Sequence, residues 1–429
     1  MIEKRLAELK QVEQGLAALR AGRHDEALAA FTAALALNPS PDKLDLIARC
    51  HHRAGRIDQA ILWYERLVGD AAKAGSRLAA GERGLCDALR DAGRLQQADE
   101  VAGRLLARFD TAPAAIATAL LQADMPLPYA GWMRIFDKGR LAETLAAYAK
   151  AHPASEIFWP ESFLLPGDAD RLAAASAQPG ALFIVKPTAR SGGKGIALTR
   201  RPPPRGAAPS LVQRYIDNPH LIEGKKGHIR LYLLVGTGET PRAYLYREGI
   251  LRIAPEAYAT DDASLPRMAR HVTNTALHRT HPDLVISDDP QAEDVGNVRS
   301  LSALLRRLER EGIGAEASWR RLALLARRLL DILAESGLFR DQVREHAAHC
   351  FPPLLFGLDL LLDASGRPWL IECQRSPAIE GGALVNRINA ELFQTAFPFM
   401  VQRLPAGDRE AGLEALEGAG KLGLFERLL

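Results

Sequence analysis

The chain has 429 residues, too many for one ordinary hydrophobic core, so roughly two to four domains are expected. Hydrophobic residues at 47% and charged residues at 25% are a soluble globular balance, and a net charge of +3 gives no reason to expect a nucleic-acid partner. Cys50, Cys86, Cys350 and Cys373 lack disulfide or zinc spacing, the charged start Met1-Ile-Glu-Lys-Arg-Leu6 lacks an apolar signal core, and no run approaches roughly 18 apolar residues; the expectation is a reduced, cytoplasmic protein without a membrane partner.

Residues 1–112 are rich in alanine, leucine and arginine at helical spacing, and they repeat. Gly22, Gly55 and Gly93 are each followed five residues later by alanine (Ala27, Ala60, Ala98), at spacings of 33 and 38. In the first copy Gly15, Gly22, Ala27, Phe31, Ala34 and Pro39 sit where small residues let two helices cross closely, an aromatic fills the gap and proline ends the second helix. The second copy keeps Ala48, Gly55, Ala60 and Tyr64; the third has Cys86, Gly93, Ala98 and Ala102. The segment resembles a tetratricopeptide array, which implies a surface for a protein partner and carries no chemistry. An ordinary helical bundle is the alternative. His51 and His52 fall within a helix and are not expected to bind metal.

Met125-Pro-Leu-Pro128 marks a boundary, and residues 113–180 are expected to open the second domain with a helix over 132–151, containing Lys138, and a strand within 158–165. Ala181-Leu-Phe-Ile-Val-Lys-Pro187 reads as a buried strand ending in Lys186, and it leads into a loop holding Ser191, Gly192, Gly193, Lys194 and Gly195. Such a lysine and such a loop can bring an ammonium and backbone N–H groups to phosphate oxygens, although the spacing is not that of a P-loop; a glycine-rich turn between strands is the plain alternative. After the hinge at 202–206, strands are expected at 211–216, 227–235 and 243–253, the last with a turn at Glu248-Gly249. Alternation puts Arg230 and Tyr232 on one face and Leu231 and Leu233 on the other. Arg230, joined by Arg252, is thereby placed for bidentate recognition of phosphate or carboxylate, unless that face is simply solvated. Residues 284–314, acidic and then arginine-rich, read as a mobile insertion, and 316–337 as an amphipathic helix packed on a hairpin.

In that hairpin, β-rich runs at 355–362 and 368–373 flank Ala364-Ser-Gly-Arg367. A turn symmetric about Ser365-Gly366 sets Asp359 opposite Glu372, with Gln374 on the same face and Leu358, Leu360, Leu362 and Ile371 on the other. Opposed carboxylates repel unless a cation lies between them, and oxygen donors of this kind suit Mg²⁺ (or Mn²⁺) better than zinc. A surface hairpin with scattered acids is the alternative. Cys373 points away from that face by parity.

Taken in order, Phe183-Ile-Val-Lys-Pro187 with its glycine loop, Val212-Gln-Arg-Tyr-Ile-Asp-Asn-Pro219, Leu221-Ile-Glu-Gly-Lys-Lys226 with Arg230, Tyr244-Leu-Tyr-Arg-Glu-Gly-Ile-Leu-Arg252, His271-Val-Thr-Asn274 and the Asp359/Glu372 hairpin resemble the tubulin-tyrosine ligase-like family over about 158–399. The resemblance implies a multidomain chain: all-α repeats (1–112), then an α+β ATP-grasp domain with antiparallel sheets, divided into 113–180, a central lobe (181–265), a carboxy-terminal lobe (266–403) and a helical tail (404–429). It also implies an ATP- and Mg²⁺-dependent carboxylate–amine ligase joining an amino acid to a protein or peptide acceptor. By the same resemblance Lys186 contacts ATP phosphates beneath the 191–195 lid, Gln213, Arg214, Tyr215 and Ile216 form the adenine hinge, Lys226, His228, Thr273 and Asn274 border the nucleotide, and Arg230 and Arg252 face the transferred phosphate. Asp359, Glu372 and Gln374 take the metal positions. Two departures stand out: Glu372-Cys-Gln374 replaces Glu-x-Asn, and Lys226-Gly-His-Ile-Arg230 replaces Lys-Phe-Asp-x-Arg. A non-catalytic adaptor and a ligase for small peptidic metabolites remain alternatives. The alanine- and arginine-rich composition points to a bacterial source, which makes tubulin an unpromising acceptor.

Overall fold

The computed structural model describes residues 2–70, 77–111, 133–188, 193, 195–204, 208–236, 242–339, 354–374, 382–401 and 423–428. They fall into two compact units, one of residues 1–126, 346–352 and 393–421 and the other of residues 127–345, 353–392 and 422–429.

The first unit is helical: α1 (Ile2–Arg20), α2 (His24–Leu37), α3 (Pro41–Arg53), α4 (Ile57–Gly69), α5 (Leu78–Asp91) and α6 (Leu95–Thr111). The turns α1–α2, α3–α4 and α5–α6 pass through Gly22, Gly55 and Gly93 at φ of +72°, +73° and +73°, a conformation that a Cβ disfavours. The alanines five residues on are fully buried. The small–aromatic pairing is physical: a Cβ on Gly15 would lie 2.4 Å from the Phe31 ring, and one on Gly84 would lie 2.3 Å from Tyr64. His52 Nε2 meets Asp91 at 2.7 Å and His51 Nδ1 accepts from Arg56 Nε at 3.2 Å, so both imidazoles are engaged inside the array.

In the second unit α7 (Met133–Phe136) and α8 (Lys138–Ala151) precede β1 (Ser162–Leu165), α9 (Ala169–Ser176), β2 (Phe183–Pro187), β3 (Ala197–Thr199) and β4 (Ser210–Arg214). The strands form a four-stranded antiparallel sheet in the order β1-β4-β2-β3. Next come β5 (Leu221–Ile222), β6 (Lys225–Val235), β7 (Ala243–Ile253), β8 (Val298–Ser300), α10 (Leu301–Arg310), α11 (Ala315–Glu335), β9 (Leu354–Leu362), β10 (Pro368–Gln374), α12 (Ala383–Val401, whose residues from Phe393 on belong to the first unit) and β11 (Phe425–Arg427). The second sheet runs β10-β9-β6-β7-β11, with β5 beside β6 and β8 beside β7. Leu231, Leu233, Leu358 and Leu360 point from it into one core with Trp319, Leu322, Leu329 and Leu330 of α11. The residues of β6 alternate as expected, and Arg230 is left on the opposite side.

Four expectations change. The larger sheet draws β6 and β7 from before residue 265 and β9 and β10 from after it, so the division at 265/266 does not separate the two sheets. Glu248-Gly249 is not a turn: β7 runs unbroken, and the register slips opposite Tyr232. The glycine serves a close approach, since a Cβ there would sit 2.5 Å from the Arg230 carbonyl oxygen. Glu248 accepts from the amides of Gly249 (2.8 Å) and Ser302 (3.1 Å). The segment 284–314 is no loose insertion, because it contains β8, paired with β7, and α10, whose Ser300 cap accepts from the Ala303 amide at 3.0 Å. Finally, the described end of the chain is a strand rather than a helix: β11 pairs with β7 and buries Phe425 against Tyr246. The expected boundary at 112, Cys350 and tail residues 404–422 lie outside the described residues.

Candidate active site

The hairpin brings Asp359 opposite Glu372, but not through a symmetric turn. Near the turn Pro368 faces Leu362 and Leu370 faces Leu360, a register centred on Ser365 alone. Asp363 locks it, accepting from the Ser365 amide (2.9 Å), the Ser365 hydroxyl (2.6 Å) and the Arg367 amide (3.1 Å). A bulge at Ile371 then advances β10 by one residue and creates the Asp359/Glu372 pair. The same bulge corrects the place of Ile371, which borders the cavity and not the core side; Leu358, Leu360, Leu362 and Cys373 remain in the core.

Two cations already answer the two carboxylates. Arg230 grips Asp359 in a two-pronged bond, Nη2 to Oδ2 at 2.9 Å with Nε on Oδ1. Burial pushes the Asp359 carboxyl up, yet the Arg230 charge and hydrogen bonds outweigh it and hold the pKa at about 2. A Cβ on Gly357 would lie 2.7 Å from Arg230 Cδ, so glycines on both neighbouring strands, Gly249 and Gly357, clear the way for this arginine. Lys138 Nζ, from the first turn of α8, stands 3.7 Å from Glu372 Oε2. Glu372 nevertheless has its pKa raised by burial and by the Asp359 charge, and it accepts from the Gln374 amide. Gln374 thus turns its side-chain nitrogen, and not its oxygen, toward Glu372. Carboxylates and an amide oxygen suit a hard divalent cation. Among the described residues no group of three His, Cys, Asp or Glu could cage one, so a metal here would take one or two protein carboxylates and draw its other ligands from a bound substrate.

The hairpin is one wall of a cavity of about 750 Å³. Lys186, Gln213 and Arg214 of the smaller sheet and Tyr215 and Ile216 just beyond β4 line it, as do Lys226, His228, Arg230, Arg252, Thr273, Asn274, Asp359, Glu372 and Gln374. Gly193 borders it too, whereas Ser191, Gly192 and Lys194 lie outside the described residues; Gly195 is described and exposed. Sequence reasoning assigned no role to Lys138, His271 or Arg279, which also face the cavity. The Asp137 cap, accepting from the Arg140 amide at 2.9 Å, was the one available signal that a helix begins at Lys138.

The chemistry of the cavity is that of a cationic cradle. Burial lowers the Lys186 pKa to about 8 despite Glu372, and burial together with the Lys186 charge lowers Lys226 to about 7. Burial likewise brings His228 down to about 4, so this ring is neutral near pH 7; its Nδ1 meets Thr273 Oγ1. Arg252, from β7, is buried, and its Nε and Nη2 have no hydrogen-bond partner among the described residues. Unpaired buried guanidinium donors are costly unless an anion meets them. Gln213 lines the cavity, and its Oε1 takes the Lys186 ammonium at 2.6 Å while its Nε2 donates to Ser162 Oγ at 3.0 Å, so the side chain steadies the lysine. The Arg214 amide donates to the Glu161 carbonyl (2.8 Å) and its guanidinium to Glu161 and Gln178, so these donors are engaged within the chain.

Two antiparallel sheets flanking a cavity rich in lysine and arginine, with a carboxylate pair on one wall, define the ATP-grasp class of fold. A profile of the tubulin-tyrosine ligase family matches residues 119–410, more than half of the chain, and the chain belongs to that family. A tetratricopeptide-repeat profile matches residues 12–76. The chain is similar to tubulin polyglutamylase TTLL5 of Homo sapiens, 32% identical over 241 residues, 56% of this chain and 19% of the relative. It is also similar to a probable beta-tubulin polyglutamylase of Tetrahymena thermophila (30% over 263 residues; 58% and 22%) and to tubulin polyglutamylase ttll-5 of Caenorhabditis elegans (31% over 288 residues; 60% and 38%). It thus spans between 19% and 38% of the length of these relatives. They are eukaryotic, which corrects the bacterial source expected from composition.

Proposed function

We propose that the chain is an ATP-dependent carboxylate–amine ligase that adds an amino acid to a protein or peptide, with glutamate the amino acid that the names of its relatives suggest. The observation that carries this reading is Arg252, a buried guanidinium with two donors unanswered among the described residues, in a cavity walled by Lys138, Lys186, Lys226 and Arg230. A polyphosphate answers such a surface.

In the reaction a carboxylate oxygen of one substrate attacks the γ-phosphorus of ATP, ADP departs, and an acyl phosphate forms. The amine of the other substrate attacks the acyl carbon, phosphate leaves, the amine loses a proton, and an amide results. Lys186, held by Gln213, and Lys226, held by Tyr215, bind phosphate oxygens. Arg252 turns its free donors on the charge that grows during phosphoryl transfer. Arg214 and Ile216 offer backbone groups to the base, with Thr273 and Asn274 beside the sugar and phosphates. Glu372 and Gln374, with Asp359 shared between metal and Arg230, would hold Mg²⁺ or Mn²⁺, which when bound neutralises phosphate charge. His228 keeps a neutral ring next to this charge, where the family has an acid. The repeat array supplies a surface for the acceptor.

The test supplies ATP, Mg²⁺ and glutamate to the full chain with tubulin, and separately with a lysate, and measures ADP release and the intact mass of the acceptor. Glutamate-sized mass increments that vanish in Lys186→Ala and Glu372→Gln are expected. Tight ATP binding without turnover on any acceptor would instead leave the adaptor reading.

A further inference from the structure

Lys226 is buried in the cavity wall, and no salt bridge to it is present among the described residues. Tyr215 holds it: Lys226 Nζ donates to the phenolic oxygen at 2.8 Å and lies 4.1 Å from the ring centroid. The donor and acceptor capacities of these groups determine the remaining contacts. A charged ammonium only donates, so the Tyr215 oxygen accepts, and its own hydrogen must leave in another direction, toward His271 or toward Tyr258, whose hydroxyl donates to the Asp217 carbonyl at 2.9 Å and can still accept. His271 Nδ1 stands 3.1 Å away. The other ring nitrogen, Nε2, lies 3.0 Å from the Ser264 carbonyl, which only accepts, so Nε2 carries the hydrogen and Nδ1 offers its lone pair to Tyr215. Burial lowers the His271 pKa and favours this neutral ring. Ser264 is itself pinned, its amide (3.0 Å) and hydroxyl (2.6 Å) donating to Asp261 while Arg270 Nη1 donates to its Oγ at 2.9 Å. His271 borders the cavity, but both of its nitrogens are spent on these contacts, leaving only ring carbons for a ligand.

We propose that His271 is a positioning residue: acting through Tyr215, it fixes Lys226 where the phosphates of the ligand meet it. This rests on the nucleotide reading above and extends it to a residue that donates nothing to the ligand. The relay also ties the 261–271 segment to the cavity wall.

The test is calorimetric titration of the full chain with MgATP, with melting curves run alongside. Tyr215→Phe and His271→Leu are each expected to weaken binding about tenfold, and the double variant to be no weaker than Tyr215→Phe alone, because both act along one path. His271→Asn, whose side-chain oxygen can take the place of Nδ1, is expected within about threefold of the unaltered chain on the same scale. A loss of folding would be expected to add across the two sites and to gain nothing from asparagine. Should the leucine variant not fold, His271→Gln, whose amide reaches toward Ser264 and not toward Tyr215, carries the same tenfold expectation. Additive losses, or full affinity in His271→Leu because Tyr215 gives its hydrogen to Tyr258 instead, overturn the proposal and leave the nucleotide reading standing. No MgATP binding by the unaltered chain removes both.

Discussion

At the scale of single residues, Arg252 separates stability from function. The burial of its Nε and Nη2 without partners among the described residues costs the folded chain, and burial with the nearby Arg230 charge lowers its pKa. Arg252→Met is therefore expected to leave the melting temperature unchanged or raised while cutting kcat/KM by about 10²–10³, the usual loss when one preorganised donor to a developing charge is removed. Calorimetric melts and ADP release check the two halves, and a large drop in melting temperature would mean that Arg252 is structural. The two lysines make a pH prediction. Their folded pKa values, about 8 for Lys186 and about 7 for Lys226, lie below the ordinary lysine value, so between those values and about 10.4 the unfolded chain binds more protons. Stability of the ligand-free protein should rise with pH across that window, and the rise should shrink in Lys226→Met. Binding of ATP should run the other way, weakening as pH passes 7 to 8 and taking up protons. Titration in two buffers of different ionisation enthalpy measures that uptake, and zero uptake at pH 8 would count against both lysines meeting phosphate.

At the scale of elements, the glycines beside Arg230 set its path. Gly357→Ala forces the arginine side chain aside and Gly249→Ala strikes its backbone, so both should lower stability by about 1–3 kcal/mol, the second by more because a backbone cannot step aside. Urea unfolding measures this, and equal small losses would show that β6 shifts freely. These glycines also mark what a sequence can disclose. Alternation in β6 and turn residues in the hairpin are enough to place Arg230, Asp359 and Glu372 on one side, because strand parity is a local property. Gly249 reads wrongly as a turn because a Glu-Gly pair between two β-rich runs has the local look of one; only the Arg230 carbonyl on the next strand explains it. The bulge at Ile371 is equally invisible, and a symmetric turn reaches the right pair through the wrong register. Lys138 meets Glu372 across 234 residues of chain, a distance no local pattern spans.

At the scale of the whole molecule, the chain joins a helical array to an α+β unit that holds the candidate chemistry. Tyr64→Ala, which empties the space facing Gly84, should disturb the array and raise the KM for a protein acceptor while ATP affinity stays within about twofold. Steady-state kinetics with each substrate varied separately distinguishes the two, and a matching fall in ATP affinity would mean that the array is needed to form the cavity. The Arg230–Asp359 bond bears on how such a molecule is made. With an arginine on one carboxylate and Lys138 beside the other, the acidic pair is neutralised by the chain itself. A newly synthesised copy can then complete its sheet before it meets any ligand, and the wall needs none to stand. Zinc fingers depend on their ion to fold; here the polypeptide supplies its own counter-charges.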